Sequence, residues 1–494
     1  MVRTNAGKKN FRIMVATHQT PWIVASFDGK TRWATAGYAA AIPGVRLDLG
    51  FPPVALPRLN KGEPSRHAPY DTTSEYTFSD LPASYLLRGS VQTTAEELSG
   101  HLQEIADHPV VIGVYLDHAL QPIANSPSPP VGTARQVQQM LAVTQLKKKQ
   151  MDGYGVKLAI VDTGINLPYL ADMGVNIALD PHLSWSWNAA IRPGSAPIGH
   201  GTMCAFAAAL SAPQATFLDI ALLHPLSPRP GEPSLLPLLS DAVRVFRHLL
   251  TIQQNAQKRG QPFSLVVSNS WGMLNIAWDF PAGDPRNYSD NPNHPFHLLL
   301  RSLERAGADI FFAAGNCGPD SPSHFCQKIT ARPIYGASSS PAVTCVAGCD
   351  VTGEIMGYSS AGPGRLTTRK PDITGYTHFR GSGVAPADSG TSVACPVVAG
   401  VVAALRSVRP YNPANSLTSP SAIRNLITST AIDRSPTGYD FRYGYGIINP
   451  QGIIDKLFAP AGVATTTDPP VDPPPTGRRQ RLITTHREYA GRVA

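Results

Sequence analysis

Apolar residues in the middle of the chain form short runs and longer stretches, which predict two kinds of buried element. The runs at 156–161 and 310–314 each end at a turn sequence, and this pattern predicts buried strands. The stretches at 203–210 and 397–405 consist mostly of small apolar residues, and the second is apolar on every face. Such stretches are typical of helices in the middle of a core.

A weaker β-α-β pattern precedes this region. Residues 85–90 and 109–116 predict strands. Between them, Thr93 or Thr94 is expected to cap a helix over residues 95–106, whose first turn carries acidic side chains as the helix dipole favours.

The composition is that of a globular protein with many loops. The chain has 494 residues, of which 42% are hydrophobic, with 47 prolines and 42 glycines, so we expect one large domain with flanking segments. No apolar run approaches the roughly 18 residues that a membrane-spanning helix needs, so we expect no membrane span. The N-terminus shows no apolar signal-peptide core, and we therefore expect a cytoplasmic or non-classically exported protein.

Much of the basic charge lies at the C-terminal end. Residues 459–476 form a Pro-rich linker, and residues 477–494 carry five arginines against one glutamate, which supplies half of the net charge of +8. Because the charge is concentrated in this tail, we expect no nucleic-acid groove. The tail is interpreted as a solvated disordered segment, with docking to an acidic partner as the alternative.

Three separate motifs hold candidate catalytic residues. Ser392 follows Gly-Thr at the start of the apolar helix, as a nucleophile at a tight turn would. Asp162 ends the strand at 156–161, and His200 lies between two glycines at the start of the helix over 203–210. Taken alone, each residue also fits an ordinary structural role: a helix cap, a turn aspartate and a surface or core histidine.

The order Asp162, His200, Ser392 is that of subtilisin. Together the motifs resemble the three signatures of the subtilisin-like serine proteases, the peptidase S8 family. The resemblance covers about residues 140–458 and implies an α/β fold with a mostly parallel central sheet and helices on both faces. It also implies a serine endopeptidase that hydrolyses protein or peptide substrates through an Asp-His-Ser triad and an acyl-enzyme, with no metal and no cofactor.

The same resemblance assigns further roles. Asn316, in an Ala-Ala-Gly-Asn segment, takes the position of the oxyanion-hole asparagine. Ser270, Trp271 and Gly272 resemble the segment that pairs with extended substrate. Residues 85–130, with a proline-rich connector at their end, resemble part of an inhibitory prodomain, and a permanent accessory domain is the alternative. Residues 1–84 form an N-terminal region to which we assign no function.

The chain departs from the family pattern at three places. Met203 replaces a second histidine, which is not a proton carrier, so we expect no loss of chemistry. Residues 374–376 replace the usual Ala-Pro-Gly. Asp388 stands before the nucleophile motif, where a small or apolar residue is usual, and we expect it to add negative charge at the rim of the cleft.

The six cysteines include no zinc-type spacing. Cys204 and Cys395 are expected to be buried packing residues. Cys317 and Cys326 could form a disulfide beside Asn316, but in a chain without a visible export signal we favour free thiols.

Three rival functions remain open. Asp162 and Asp388, each followed by a small hydroxyl residue and glycine, could be an aspartic-protease pair, but this leaves His200 and Asn316 unused. A catalytically silent binding protein on the same scaffold would usually lack a triad residue. A peptide ligase or acyltransferase could use the same serine, and product analysis would separate it from a hydrolase.

Overall fold

The computed structural model describes most of the chain up to residue 459. The described residues are 7–17, 23–27, 30–34, 42, 44–48, 50–57, 84–123, 128–186, 191–223, 236–273, 277, 279–323, 326, 329–434 and 436–459. The basic tail and all but the first residue of the predicted Pro-rich linker lie outside these ranges, as does part of the predicted connector.

The main body is built on a parallel sheet that has eight strands among the described residues. Its strands are β9 (Val156–Val161), β10 (Ala178–Leu179), β11 (Trp185–Ser186), β12 (Thr216–Ala221), β13 (Ser264–Asn269), β15 (Ala308–Ala313), β16 (Thr344–Cys349) and β17 (Ile373–Tyr376). The order along the sheet is β10-β12-β9-β13-β15-β16-β17, with β11 also paired to β12. A further strand, β14 (Trp271–Met273), follows β13 outside this sheet.

Helices cover both faces of this sheet. The helices of the main body are α2 (Ala134–Met140), α3 (Val143–Lys148), α4 (Leu167–Asp172), α5 (His200–Ala209), α6 (Leu239–Lys258), α7 (Pro295–Arg305), α8 (Thr391–Val408), α9 (Pro420–Ser429) and α10 (Pro450–Leu457). A further helix, α1 (Leu98–Ala106), belongs to the N-terminal part. Helices α6 and α7 share one core cluster with Val267 of β13. The next residue, Ser268, contacts Cys395 of α8 across the other face. This architecture confirms the predicted α/β fold.

Helix α8 is the central element of the core. Its side chains from Thr391 to Arg406 are all buried, as the apolar pattern predicts. By length and composition this helix could cross a membrane, but 89% of it is buried within the protein. Burial in the core accounts for its apolar character without a bilayer.

The N-terminal part forms a second, antiparallel sheet. Its strands are β1 (Lys9–Thr17), β4 (Arg46–Leu47), β5 (Val54–Leu56), β6 (Ser84–Thr93) and β7 (Val111–Leu116), while β2 (Ile23–Phe27) and β3 (Lys30–Ala34) pair separately. Strand β1 lies between β6 and β7, so the N-terminal region and the β-α-β segment share one sheet.

Helix α1 starts later than the sequence pattern predicts. Thr94 accepts a hydrogen bond from the backbone of Glu97 at 3.2 Å, but residues 95–97 form a turn and the helix begins at Leu98. The predicted start at residue 95 is therefore wrong, because the threonine caps a turn that precedes the helix.

Candidate active site

The carboxyl ends of three neighbouring strands build the site. In the sheet register, Val161 of β9 lies opposite Asn269 of β13, and Asn269 lies opposite Phe312 of β15. Asp162 and Ser270 directly follow two of these strand ends, and Asn316 comes shortly after the third. Parallel strands end at one edge of a sheet, which is where open α/β sheets carry their sites.

Asp162 is 1% exposed and holds the imidazole of His200. Its Oδ1 lies 2.8 Å from His200 Nδ1 and also accepts the backbone N–H of Thr163 at 2.7 Å. The hydroxyl of Thr163 in turn accepts the backbone N–H of Gly201 at 2.9 Å. The threonine of the aspartate motif therefore joins the two loops that carry the pair.

Gly201 allows these loops to approach each other. A Cβ at this position would lie 2.5 Å from the carbonyl oxygen of Gly164, which no side chain can tolerate. The glycine after the histidine is thus required by close packing of two backbones.

His200 is the first residue of α5, and Asp162 controls its charge. Burial of the ring opposes protonation, but the negative charge of Asp162 and the hydrogen bond to it outweigh burial and raise the pKa of His200. The nearby carbonyl of Ile123 acts in the same direction. Its Nε2 is buried and makes no hydrogen bond with a described residue.

Ser392 is fully buried in the first turn of α8. Gly390 precedes the helix with a φ of +89°, in the left-handed region that glycine reaches without strain. The hydroxyl of Ser392 donates to the carbonyl of Ser389 at 3.2 Å. The backbone carbonyl of Ser392 accepts the hydroxyl of Ser270 at 2.8 Å.

The thiol of Cys204 lies among all three candidate triad residues. Its Sγ is 3.7 Å from Asp162 Oδ2, 3.7 Å from His200 Nδ1 and 3.4 Å from the carbonyl oxygen of Ser392. Cys204 and Cys395 are free and buried, as predicted. The sequence pattern missed that Cys204 touches the site, because helical periodicity shows burial but not the neighbour across a helix interface.

Asp162, His200 and Cys204 also form a possible metal-binding group. One ligand atom from each lies within 4.8 Å of the others. Burial, and after it the charge of Asp162, raise the pKa of Cys204 well above its ordinary value, which disfavours the thiolate that metals bind. The absence of a metal stays a prediction.

Asn316 is anchored to the turn that leads into Ser392 (residues 389–391), here called the nucleophile turn because Ser392 is the candidate nucleophile. Its Oδ1 accepts both the backbone N–H of Thr391 at 2.9 Å and the Thr391 hydroxyl at 3.0 Å. Because these bonds fix the amide oxygen, they also fix the amide Nδ2 on the opposite side of the group. Gly315, with a φ of +100°, donates its N–H to the same threonine hydroxyl at 3.0 Å.

The predicted substrate segment pairs with a strand of the chain itself. Strand β8 (Leu120–Pro122) runs antiparallel to β14, with Gln121 opposite Gly272. The pairing continues at Ile123, whose N–H donates to the carbonyl of Ser270 at 3.0 Å. The Trp271 side chain lies in the core, with its ring 5.3 Å from that of Phe312.

A cavity opens beside Ile123 and Asn316, and its described lining residues are all uncharged. Cys317 and Cys326 form part of its wall and are joined by a disulfide, so the prediction of free thiols is wrong. The loop folds back on itself, with Ser323 N–H bound to the Asn316 carbonyl at 2.8 Å. This brings the two Cα atoms to 5.5 Å, within disulfide range.

The three departures from the family pattern lie in the core or in the sheet of the protein. Met203 is fully buried in α5. Residues 374–376 belong to β17, which extends the sheet beyond β16. Asp388 is fully buried, contrary to the expected place at the cleft rim, because its carboxylate accepts the backbone N–H and the hydroxyl of Ser382, both at 2.6 Å.

Asp219, a buried residue that the sequence analysis did not identify, supports the loop that follows Asp162. Asp219 accepts the backbone N–H of Ile165 at 3.2 Å and that of Gly194 at 2.8 Å. Its burial raises its pKa to about 6. The available signal was an aspartate in the otherwise apolar run of β12.

Comparison with known proteins identifies the family of the chain. The sequence model of the subtilase family (peptidase S8) matches residues 153–446. The membrane-bound transcription factor site-1 protease of Mus musculus is 28% identical over 327 residues, which are 63% of this chain and 26% of that protein. Subtilisin-like protease SBT3.16 of Arabidopsis thaliana is 35% identical over 152 residues, 26% of this chain and 18% of that protein.

The chain therefore spans about a quarter or less of the length of these curated relatives. Among solved structures, MycP1 with its N-terminal propeptide removed aligns over 66% of this chain and 98% of that one, at a TM-score of 0.43 and 19% identity. The family match extends over more than half of the chain and includes the segments that carry Asp162, His200, Asn316 and Ser392, and the chain belongs to the subtilase family.

Proposed function

We propose that the protein is a serine endopeptidase in which Ser392, His200 and Asp162 form the catalytic triad. The observation that carries the proposal is the 2.8 Å contact between His200 Nδ1 and buried Asp162, beside the nucleophile turn. This contact fixes the ring tautomer that leaves Nε2 to accept a proton.

In the proposed reaction, the hydroxyl of Ser392 exchanges its hydrogen bond to the Ser389 carbonyl for one to Nε2 of His200. Its Oγ then attacks the substrate carbonyl. His200 takes the serine proton and then donates it to the leaving amine, so that an acyl-enzyme remains on Ser392. Water attacks this ester with the same base, and Ser392 is released with its proton restored. Asp162 keeps its negative charge and stabilises the imidazolium.

The oxyanion is proposed to bind the Nδ2 of Asn316 and the backbone N–H of Ser392. Support comes from the two hydrogen bonds by which Thr391 holds the amide oxygen of Asn316. A donor that is fixed before the charge develops costs no reorganisation during the reaction.

Labelling with a serine-directed fluorophosphonate tests the proposal. The label should map to Ser392 in the wild type and be lost in Ser392→Ala. A control, Ser407→Ala, changes a serine at the far end of α8 that binds Gly153 N–H at 2.8 Å, and should keep the label. A label elsewhere, or peptide products that are ligated and not hydrolysed, would contradict the assignment.

We also propose that the N-terminal sheet with α1 is an inhibitory prodomain. Support comes from β8 and Ile123, which pair with the segment Ser270–Gly272 as an extended peptide substrate would. The side chain of Ile123 borders the uncharged cavity, and Leu120 is buried in the adjacent core cluster. An apolar residue before the cleaved bond follows from the uncharged lining.

The contacts of Asp117 add to this support. Its carboxylate accepts the backbone N–H of Ser240 at 2.8 Å and the Ser240 hydroxyl at 2.7 Å, at the start of α6. A carboxylate at a helix N-terminus satisfies N–H groups that have no partner within the helix.

The proposed cleavage follows Ile123, the last residue of this pairing among the described residues. Intact mass and N-terminal sequencing should show that wild-type protein shortens to begin at Ala124, while Ser392→Ala stays at full length. Full-length wild-type protein that is active without cleavage would instead identify a permanent accessory domain.

A further inference from the structure

A series of hydrogen bonds joins residues 128–131 to the turn before Ser392. The Nε2 of His378 lies 2.8 Å from the carbonyl oxygen of Pro129, and its Nδ1 lies 3.4 Å from the hydroxyl of Tyr358. The same hydroxyl accepts the backbone N–H of Gly390 at 3.0 Å. Both side chains are buried.

His378 is held in an unusual backbone conformation. Its φ is +64°, in the left-handed region that residues other than glycine rarely adopt. Its N–H donates to the carbonyl of Asp388 at 2.7 Å, and its carbonyl accepts the N–H of Val131 at 2.6 Å. The surroundings therefore hold this residue in place against a backbone cost, a situation typical of functional sites.

The proton positions in this series follow from the partners. A carbonyl oxygen only accepts, so His378 Nε2 must donate to Pro129 at 2.8 Å, and the hydroxyl of Ser128, 3.1 Å from the same nitrogen, is a second acceptor for this proton. Burial lowers the pKa of His378 although the Pro129 carbonyl opposes it, which favours the neutral ring at neutral pH. In a neutral ring whose Nε2 donates to Pro129, Nδ1 accepts. Tyr358 therefore donates to Nδ1, which leaves its oxygen lone pairs for the N–H of Gly390.

Both peptide groups of Gly390 are thereby fixed. Its N–H is bound by Tyr358, and its carbonyl accepts the hydroxyl of Thr377 at 2.7 Å. Gly390 is two residues before Ser392, so its orientation sets the path of the chain into the first turn of α8.

We infer that Tyr358 and His378 are positioning residues for the nucleophile turn, and that residues 128–131 complete this arrangement. The inference rests on the proposed serine-protease function. It assigns a catalytic consequence to a segment that begins shortly after the proposed cleavage point, so the new N-terminal segment of the shortened enzyme would support its own nucleophile.

Substitution of Tyr358 by Phe tests the inference with a matched control. Tyr358→Phe keeps the ring but removes the acceptor for Gly390 N–H. Tyr443→Phe removes a buried hydroxyl that likewise accepts a backbone N–H, that of Ile355 at 3.0 Å. Among the described residues, this hydroxyl contacts neither His378 nor the nucleophile turn. We expect Tyr358→Phe to lower kcat about tenfold with KM nearly unchanged, and Tyr443→Phe to leave both constants near wild type.

His378→Asn provides a second variant, because asparagine tolerates the left-handed conformation but is too short to reach both partners. We expect a similar loss of kcat. The double variant His378→Asn, Tyr358→Phe should lose little more than either single variant, since all three interrupt one series of contacts. Thermal unfolding of each variant should check that the variant is folded.

The outcomes separate this inference from the proposed function. Wild-type protein whose Ser392 is not labelled by fluorophosphonate would refute the proposed function. If wild type is labelled and active while Tyr358→Phe retains its kcat, or Tyr443→Phe loses as much, the positioning role is overturned. Fully additive effects of Tyr358→Phe and His378→Asn would overturn the connection between the two residues.

Discussion

The two sheets of the molecule bury their apolar residues in different ways. The parallel sheet is covered by helices of the main body on both faces, and its carboxyl edge carries the candidate site. In the antiparallel sheet, Ile13 and Val15 of β1 pack in the cluster that includes α1. Met14 and Ala16 between them pack in the cluster that includes α6 and α7.

This difference shows which part depends on the other. Among the described residues, the N-terminal sheet has one helix of its own, α1, and it packs its second face against the main body. The candidate triad residues, in contrast, lie on elements of the main body alone. A chemical defect and a docking defect should therefore be separable by substitutions in the two regions.

The largest effect is expected for the nucleophile. Ser392→Ala should lower kcat by about 10⁶-fold, the size found when the corresponding serine of subtilisin is removed. Steady-state hydrolysis of a peptide library measures this. Thermal unfolding should show the variant folded with its N-terminal sheet docked, and turnover near wild type would refute the triad.

Asn316 should have the next largest effect. Asn316→Ala should lower kcat by about 10²–10³-fold, as for an oxyanion donor of subtilisin. Asn316→Asp keeps an oxygen for Thr391 but loses the amide donor, and separates the two roles of the side chain. Recovery of kcat in Asn316→Asp would show that holding Thr391 matters and that donation to the oxyanion does not.

The activity of the shortened enzyme should depend on pH through His200. The neutral ring is the active form, and Asp162 raises its pKa, so activity should be lost as pH falls through a value above that of an ordinary histidine. Below that value, kcat/KM should fall about tenfold per pH unit. A flat profile across the acidic range would argue against a histidine base.

The smallest effect is expected at the docking surface. Burial raises the pKa of Asp117 from 3.8 to about 6, with the Ser240 hydroxyl opposing. The docked state thus binds the proton more tightly than the released state, and docking should weaken as pH rises from about 4 through about 6. Release of the cleaved N-terminal part, followed by gel filtration, should be a few-fold faster at neutral pH.

Asp117→Asn should reduce this pH dependence, because the titrating group at the interface is gone. Asp107→Asn serves as a control, since its carboxylate only accepts from Gln103 on the exposed surface of α1. An unchanged pH dependence in Asp117→Asn would contradict the assignment of this effect to Asp117.

The fold and the family are predictable from the sequence because their signals are local. The strand before Asp162 and the apolar helix after Ser392 follow from periodicity, and the motif order indicates the family. Whether Asp388 is exposed or buried depends instead on Ser382 folding back to it. Likewise, no local pattern indicates that His378 reaches Pro129 and Tyr358, which are distant in the sequence.

The strand β8 is covalently part of the same polypeptide as β14, with which it pairs, and under the proposed prodomain role this has a kinetic consequence. The first bond to be cut would meet the nucleophile without diffusion, so maturation should be a first-order process whose half-time does not change on dilution. Every later turnover is bimolecular and depends on the concentration of a foreign chain. Under the proposed function, the connection from β7 to Ile123 would therefore make self-cleavage first order, while cleavage of other chains would be second order at low substrate concentration.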